Sequence, residues 1–343
     1  MTPIAAVWSG DGFSIRELPR PELDPGDVLV EVEMSTVCGS DRHTVAGHRR
    51  TPVPTVLGHE SVGRVIEVRG DADVAVGDRI VWTVGTACGA CRPCAGGVPQ
   101  KCRNGRKYGH ERMTETWMLN GGFASHVHLV SGTGTVVVPE RLPAALAAPA
   151  GCATATVVNA ARRVGLGEGD RVVVLGCGML GLTAIAYARD RGAASIVACD
   201  PDADRRAAAR ELGADVGCAP EHLADAASTN GADAVFEMSG APSSVRAALE
   251  VVSMAGRVSL VGSVFPTSPV SVDPERLVRE LITVVGSHNY RRDDLVEAVA
   301  FLARTPAATL LADLVGPCLA LADVGRAFQD SGPSSSLRTA LVV

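Results

Sequence analysis

The sequence predicts an α/β protein with two parts, a small β-rich domain followed by a doubly wound parallel sheet. Three observations support this. A length of 343 residues gives about two domains of ordinary size. Roughly the first 150 residues carry short β-branched runs separated by Gly and Pro, which is typical of irregular β structure. After Gly151, apolar strand-like runs alternate with helical stretches, the pattern of βαβ units.

The β-rich part is predicted from three runs, Val28–Val32, Ser61–Val68 and Arg79–Val84. Turn residues at 25–27 and 77–78 precede the first and third runs, so each run reads as a short strand in a compact domain. The prolines and glycines between the runs leave little room for long helices.

The second part is predicted from strands that alternate with helices. The predicted strands are Arg171–Leu175, Ser195–Cys199, Ala232–Met238, Arg257–Val261 and Leu281–Val285. The predicted helices are a stretch ending at Arg191, then Asp202–Leu212, Pro242–Val252, Asp293–Arg304 and Leu321–Asp330, before a closing strand Arg338–Val343. This alternation indicates a parallel sheet with helices on both faces.

Composition excludes several classes of protein. The net charge of −6 and an aromatic content of 3% give no reason to expect a nucleic-acid or membrane partner. Ten cysteines are too few for a disulfide scaffold of this length. The N-terminus lacks a basic and apolar leader, and the uncharged stretch Leu142–Ala161 is interrupted by prolines. We therefore expect a cytoplasmic protein.

A glycine motif marks the candidate nucleotide site. It is a G-x-G-x-x-G segment composed of Gly176, Cys177, Gly178, Met179, Leu180 and Gly181. It follows a strand, opens a helix and precedes Asp200 by 24 residues, so pyrophosphate at the helix N-terminus and ribose at the carboxylate are expected. Asp200 favours NAD, whereas Arg205 could also tolerate the 2′-phosphate of NADP. The alternative is an ordinary glycine turn.

Four cysteines form a second motif, C-x2-C-x2-C-x7-C, made of Cys88, Cys91, Cys94 and Cys102. Four thiolates suit a closed, structural tetrahedral zinc site. An iron–sulfur cluster is a rival, although that motif usually has Pro after the last Cys and Arg103 stands here. Four unligated thiols are the remaining alternative.

Two further stretches combine metal-ligand and proton-transfer residue types. The first contains Cys38, Ser40, Asp41 and His43, and the second is the pair His59-Glu60. Taken alone, Cys38 could be a small core residue and His59 a hydrogen-bonded loop histidine. Spacing by itself does not join the two stretches.

With these motifs in view, the chain resembles the zinc-dependent medium-chain alcohol dehydrogenases essentially from end to end. The resemblance rests on Cys38, on Gly58-His59-Glu60, on the cysteine cluster, on Cys152 and on the Gly176–Asp200 interval. It implies a GroES-like catalytic domain over 1–153 and 288–343, and a Rossmann NAD-binding domain over 154–287.

The resemblance also implies roles for individual residues. Cys38, His59 and Cys152 would bind a catalytic zinc, with Glu60 behind the metal and Asp41 orienting His59. Ser40 and His43 match the positions of the family's proton relay, and Arg338 matches a residue that reaches the cofactor pyrophosphate in some members. With the cysteine cluster, two zinc ions per chain are expected. Cys177, Cys199 and Cys218 are predicted to be packed thiols, and Cys318 has no predicted role.

The implied reaction is the reversible oxidation of a small-molecule alcohol to an aldehyde or ketone, with hydride transfer to NAD. Arg49 and Arg50, with segments 47–51 and 107–111, are similar to a subgroup associated with phosphonate metabolism, which predicts an anionic substrate. A solvated basic surface, or a neutral polyol or cyclitol substrate, is the alternative. A catalytically silent NAD- and zinc-binding regulator is a hypothesis of another class. By resemblance, a homodimer or homotetramer is expected.

Overall fold

A computed structural model of the chain describes residues 2–227, 231–329 and 336–343. The chain divides into two compact units. The first unit comprises Met1–Cys152, Tyr290–Ala303 and Ala312–Val343, and the second comprises Ala153–Asn289 and Arg304–Leu311. The N-terminal and C-terminal segments therefore share one unit, while the middle of the chain forms the other.

The first unit is built mainly from short antiparallel strands. Its N-terminal strands are β1 (Ile4–Trp8), β2 (Phe13–Glu17), β3 (Val28–Thr36), β4 (Thr55–Val56), β5 (Ser61–Val68), β6 (Arg79–Thr86), β7 (His126–Leu129) and β8 (Thr133–Val137). Short helices α1 (Gly39–Val45), α2 (Arg92–Ala95) and α3 (Ala144–Ala147) and 3₁₀ turns Pro99–Lys101 and Ala148–Gly151 lie between or after them. Strands β2, β1 and β4 form a small sheet in that order.

The second unit contains a parallel six-stranded sheet. Its strands are β9 (Arg171–Leu175), β10 (Ser195–Cys199), β11 (Val216–Cys218), β12 (Ala232–Glu237), β13 (Val252–Leu260) and β14 (Thr283–Gly286). Its helical segments are α4 (Ala153–Val164), α5 (Met179–Asp190), α6 (Ala203–Glu211), a 3₁₀ turn Pro220–His222, α7 (Leu223–Ala226), α8 (Pro242–Val251) and α9 (Pro274–Arg279). The strand order β11-β10-β9-β12-β13-β14 is that of a doubly wound dinucleotide-binding sheet.

The C-terminal segment completes the large sheet of the first unit. It contains α10 (Arg292–Arg304), α11 (Ala308–Asp313), β15 (Val315–Ala320), a 3₁₀ turn Leu321–Asp323, α12 (Arg326–Gln329) and β16 (Arg338–Val342). The large sheet runs β15-β16-β3-β5-β6-β8, and β7 also pairs with β3. The predicted helix Leu321–Asp330 is wrong as a single helix, because Gly325 lies between two short turns. Asp330 itself lies outside the described residues.

Apolar packing explains why both units hold together. In the first unit, Val7, Leu57, Phe123 and Leu341 belong to one buried cluster. In the second, the β9 sequence Arg-Val-Val-Val-Leu is buried after its first residue, as expected for a central parallel strand covered on both faces. Within the described ranges no single helix is long and apolar enough to cross a membrane, although the bent pair Ala144–Gly151 and Ala153–Val164 passes by length and composition.

Candidate metal and cofactor sites

Cys38 is positioned where a central strand of the first unit passes into a helix. It follows β3 and is the N-cap residue of α1, with extended backbone angles of φ −81° and ψ 159°. The Asp41 carboxylate accepts a 3.0 Å hydrogen bond from the Cys38 amide, which fixes this turn. Both residues are buried, so the thiol is held on a rigid corner of the fold.

His59 is held between β4 and β5 by a turn that requires glycine. Gly58 has φ +90°, and a Cβ atom there would lie 2.5 Å from Phe123. The His59 ring is buried, with Nε2 3.3 Å from Ser40 Oγ and Nδ1 3.4 Å from Asp41 Oδ1. Neither His59 Nδ1 nor Asp41 Oδ1 completes a hydrogen bond in this geometry. A carboxylate behind one imidazole nitrogen leaves the other nitrogen free to bind a metal.

Cys152 directly follows the 3₁₀ turn Ala148–Gly151, which places its thiol near Cys38 and His59. The Tyr290 hydroxyl donates to the Gly151 carbonyl and accepts a 3.2 Å hydrogen bond from the Val84 amide, which anchors this turn. Tyr290 is buried and carries no ligand chemistry of its own. Sequence reasoning missed it, because nothing in the local sequence links position 290 to position 151.

The ligand atoms of Cys38, His59, Glu60 and Cys152 all lie within 4.8 Å of one another. Contact with the Cys152 thiol lowers the pKa of Cys38 well below its usual value despite its burial, and Arg338 and His59 lower it further. Zn²⁺ prefers sulfur and imidazole nitrogen as donors, and here two cysteine sulfurs, of which Cys38 favours the thiolate form, meet one imidazole. The residues present therefore fit a zinc ion.

Glu60 is held by Arg338 in a buried ion pair. Arg338 Nε and Nη2 donate to the two Glu60 oxygens at 2.7 and 2.9 Å, and Nη2 lies 3.5 Å from Cys38 Sγ. Thr36 Oγ1 donates to Glu60 at 2.6 Å. The described contacts of Arg338 are thus with Glu60, Cys38 and the Leu337 carbonyl. Its contact with a cofactor pyrophosphate stays a prediction.

The four cysteines of the loop that follows β6 converge on one point. Their sulfur atoms lie within 4.8 Å of one another, with Cys91 Sγ 3.5 Å from Cys94 Sγ and 3.8 Å from Cys102 Sγ. Four sulfurs on one zinc at about 2.3 Å would be about 3.8 Å apart, so the spacing fits a single tetrahedral ion. Amide hydrogen bonds from Cys91 and Ala90 lower the pKa of Cys88 to about 6, which favours its thiolate.

The three glycines of the nucleotide motif have different local geometry. Gly176 has φ +93°, and a Cβ atom there would lie 2.9 Å from Ser239. Gly178 is the N-cap of α5, and a Cβ atom there would meet no other atom within 4 Å, so its face is open. A Cβ on Gly181 would lie 1.8 Å from the Gly176 carbonyl oxygen. A tight turn, an open amide face and close packing are what a pyrophosphate loop needs.

Asp200 has a structural task in addition to its predicted one. Its carboxylate accepts hydrogen bonds from the Cys177 amide at 2.7 Å and from the Asp202 amide at 2.9 Å. It therefore ties the glycine turn to the end of β10. Arg205 lies in the first turn of α6, and its Nε is buried without a hydrogen-bond partner.

Arg49 lies beside the candidate catalytic site, whereas the Arg50 side chain is exposed and forms no described hydrogen bond or ion pair. Arg49 Nη1 is 3.3 Å from His110 Nε2, and the His110 ring lies 4.8 Å from the His59 ring. His110 Nδ1 is 2.6 Å from the Gly109 carbonyl, so Nε2 is the acceptor that faces Arg49. Burial and the nearby Arg49 lower the pKa of Lys107. Two cations, Arg49 and Lys107, thus lie close enough to each other and to His110 to interact electrostatically.

Comparisons with known proteins identify the family of the chain. A family model described as "Alcohol dehydrogenase GroES-like domain" matches residues 24–140, and one described as "Zinc-binding dehydrogenase" matches residues 180–304. L-threonine 3-dehydrogenase of Pectobacterium carotovorum subsp. carotovorum (strain PC1) is 32% identical over 287 residues, which are 80% of this chain and 79% of that protein. The chain belongs to the zinc-dependent medium-chain alcohol dehydrogenase family. It is an oxidoreductase of that family.

Solved structures of this family share the whole fold. The alcohol dehydrogenase of Thermotoga maritima is 28% identical with a TM-score of 0.92, covering 100% of this chain and 99% of that chain. The alcohol dehydrogenase of Thermus sp. ATN1 is 28% identical with a TM-score of 0.87 and 99% coverage of each chain. The 2R,3R-butanediol dehydrogenase of Bacillus subtilis is 25% identical with a TM-score of 0.85, covering 100% of both chains. The predicted combination of GroES-like and Rossmann folds is confirmed.

Proposed function

We propose that this medium-chain dehydrogenase reversibly oxidises a small-molecule alcohol with NAD as hydride acceptor, and that its substrate carries a phosphate or phosphonate group. The observation that carries the proposal is the convergence of buried Cys38 and His59 with half-buried Cys152, with Ser40 beside them. These three side chains would hold the catalytic zinc, and the four-cysteine loop would hold a structural zinc. Bound zinc supplies Lewis-acid chemistry that lowers the pKa of a substrate hydroxyl.

The protein's own residues position the reacting groups. Asp41 faces Nδ1 of His59, and Arg338 holds the Glu60 carboxylate beside the donor set. With Cys38, His59 and Cys152 as its ligands, a zinc ion would keep a position open for the substrate. Ser40 Oγ, 3.3 Å from His59 Nε2, would accept the hydroxyl proton of the alcohol while its own hydroxyl proton leaves toward His43. His43 is exposed and would exchange that proton with solvent.

The cofactor pyrophosphate would lie against the turn of Gly176, Gly178 and Gly181 and at the N-terminus of α5. The first two residues of that helix are Met179 and Leu180. Asp200 would accept the ribose hydroxyls and disfavour a 2′-phosphate, so NAD is preferred to NADP. The Nε atom of Arg205 is buried without a partner, so the preference is not expected to be absolute.

The positive charge of Arg49 is the reason to expect an anionic substrate. Arg49 donates to His110, whose pKa is lowered by burial so that it is a neutral acceptor, and no ion pair of Arg49 occurs in the described part of the chain. A cation without a carboxylate partner next to the candidate metal site suits an anionic group on the substrate. The neutral-polyol alternative is favoured by another observation, the similarity to a 2R,3R-butanediol dehydrogenase.

The test is a substrate panel measured with NAD and with NADP. Hydroxyalkyl phosphonates and phosphates are compared with butanediol, sorbitol, inositol and L-threonine. The proposal predicts the highest kcat/KM for an anionic alcohol with NAD. In Arg49→Ala the KM for that alcohol should rise about 10- to 100-fold, the value of a lost charged hydrogen bond. Arg69→Ala, at an exposed arginine, is the control. A preferred neutral polyol with unchanged KM in Arg49→Ala would contradict the substrate proposal.

Assembly is proposed from the open edge of the second unit's sheet. Edge strand β14 exposes Thr283 and Val284, and Met254, Val278 and Leu281 are exposed apolar residues of the same unit, each of the last three more than 70% accessible. An exposed, apolar edge strand pairs readily with a second copy. A homodimer formed through this edge is therefore expected, and a tetramer would need a further interface.

A further inference from the structure

Two cysteines stand directly opposite each other on neighbouring strands of the second unit. Cys199 ends β10 and Cys218 ends β11, and they are register partners in the parallel pair. Register partners on adjacent strands point to the same face, with strands about 4.8 Å apart. That separation lies within the Cα range of disulfides, about 4.4–6.8 Å. Both side chains belong to the same buried cluster.

The two thiols differ in their surroundings. Arg206 and Arg210, one helical turn apart on α6, lie around the end of β11, where Arg210 donates to the Gly217 carbonyl at 2.8 Å. The Cys199 thiol lowers the pKa of Cys218, and Arg206 and Arg210 lower it further in opposition to burial. The pKa of Cys199 is raised by contact with Cys218 and by burial. When one thiol of the pair ionises, these surroundings favour the thiolate on Cys218.

Cys218 also lines an open cavity. An open cavity of about 690 Å³ is lined by Cys218 together with Arg206, Arg210, Gly217, His222 and Asp225. Cys199 does not line it. Cys218 is 7% exposed and Cys199 6%, so both are buried, but only Cys218 belongs to the cavity lining, beside the guanidinium groups of Arg206 and Arg210. The cavity is therefore the side from which a small polar oxidant would approach the pair.

We propose that Cys199 and Cys218 form an oxidisable dithiol, with Cys218 as the peroxide-reactive thiol and Cys199 as its resolving partner. The Cys218 thiolate attacks a hydroperoxide, an S–O bond forms, and the O–O bond breaks to release an alcohol or water after protonation. The Cys199 sulfur then attacks the sulfenic acid, the S–S bond forms, and the S–O bond breaks. The Cys199 proton leaves with the hydroxyl as water. Two thiols are oxidised by two electrons and one hydroperoxide is reduced.

Such a bond would lie next to the residues assigned to the cofactor, and this part of the inference rests on the proposed function. The Gly176 amide donates to the Cys199 carbonyl at 2.8 Å, and the Asp200 amide donates to the Cys218 carbonyl at 3.2 Å. The Asp200 carboxylate in turn holds the Cys177 amide. Replacing the thiol contact by an S–S bond of about 2 Å would change the positions of the two cysteine backbones, and with them the carbonyls that accept from Gly176 and Asp200. Oxidation is expected to weaken NAD binding about tenfold or more.

The test uses the zinc-loaded full chain treated with hydrogen peroxide, blocked by alkylation and digested with trypsin. Cys199 lies in the tryptic peptide 192–205 and Cys218 in 211–246, so a disulfide joins two separate peptides. We expect this linked pair before reduction and its loss after reduction. Absence of the linked pair, or linkage of Cys199 to Cys177 instead, would overturn the proposal.

Two variants separate the roles of the sulfurs. In Cys199→Ser, Cys218 should accumulate as a sulfenic acid that dimedone labels, whereas in Cys218→Ser the thiol of Cys199 should stay unlabelled. Labelling of Cys199 in Cys218→Ser would reverse the assignment. Cys318→Ser, which removes an exposed cysteine on β15, is the matched control and should form the linked pair like the unmodified chain.

NAD affinity, measured by calorimetry, tests the consequence separately. The reduced protein should bind NAD, the oxidised protein should bind about tenfold more weakly, and reduction with a phosphine should restore binding. Unchanged affinity in linked protein would overturn the regulatory consequence. If the reduced protein does not bind NAD at all, the proposed cofactor fails, whereas the dithiol is still judged from the linked peptides alone.

Discussion

The buried pair of Arg338 and Glu60 gives the sharpest stability prediction, because it joins the C-terminal strand to the candidate metal site. Glu60 is fully buried and Arg338 is 6% exposed. In Arg338→Met the aliphatic stem is kept, but the carboxylate loses two short charged hydrogen bonds and retains only Thr36 Oγ1 among its described side-chain donors. Breaking one side of a buried ion pair costs about 3–5 kcal/mol.

This cost can be measured by scanning calorimetry at one scan rate and one zinc concentration. Because about 1 kcal/mol shifts Tm by about 2–4 °C for a domain of this size, we expect Arg338→Met to lower Tm by roughly 6–20 °C. The control is Arg20→Met, which breaks the exposed Arg20–Glu67 pair and should cost less than about 1 kcal/mol.

A double-mutant cycle then tests the cause. Adding Glu60→Gln to Arg338→Met removes the unpaired charge, so the double variant should be more stable than the sum of the two single losses predicts. A Tm for Arg338→Met within about 2 °C of the unmodified chain would be incompatible with a buried charge left unpaired. Strict additivity in the cycle would be incompatible with it as well.

Three other predictions follow from the second unit. Arg171 lowers the pKa of Asp233 to about 2, so the pair stabilises the fold above pH 4 and loses this effect as the pH falls toward 2. Asp233→Asn should therefore lower the free energy of unfolding by about 1 kcal/mol at pH 7 and by less at pH 3. Asp71→Asn, at an exposed carboxylate, should leave the free energy of unfolding unchanged. Gly181→Ala should abolish NAD binding in calorimetry, because its Cβ would collide with the Gly176 carbonyl, and normal binding would contradict the close-packing role. Val284→Asp should shift the chain toward monomer in analytical ultracentrifugation, and an unchanged dimer would exclude the β14 edge.

The sequence predicted the second unit well because its signals are local. The runs Arg171–Leu175 and Ser195–Cys199 have the bounds of β9 and β10, since each is apolar and is followed by a turn residue. Strand β13 begins at Val252 rather than at the predicted Arg257, because Ala255 adopts φ +57° beside Gly256 and the strand continues through this irregular segment. Local propensity does not reveal such a bend.

Only those parts of the candidate sites whose residues lie close together in the sequence could be predicted from motif spacing. The four-cysteine cluster and the glycine turn are each local in sequence, so spacing alone indicates their chemistry. The pairing of Glu60 with Arg338 spans 278 positions, and the contact of Arg49 with His110 spans 61. Such contacts depend on which strands and loops meet in three dimensions, and spacing carries no information about that.

We propose that the chain holds one catalytic and one structural zinc ion and is an active dehydrogenase. This is tested directly by measuring the zinc content and the NAD-dependent turnover of the purified chain and of two variants. Two zinc ions per chain are expected. Cys38→Ala should lose one ion and all turnover while still binding NAD, and Cys91→Ala should lose the other ion and melt at a lower temperature. One zinc ion in the unmodified chain, or turnover that survives Cys38→Ala, would contradict this assignment.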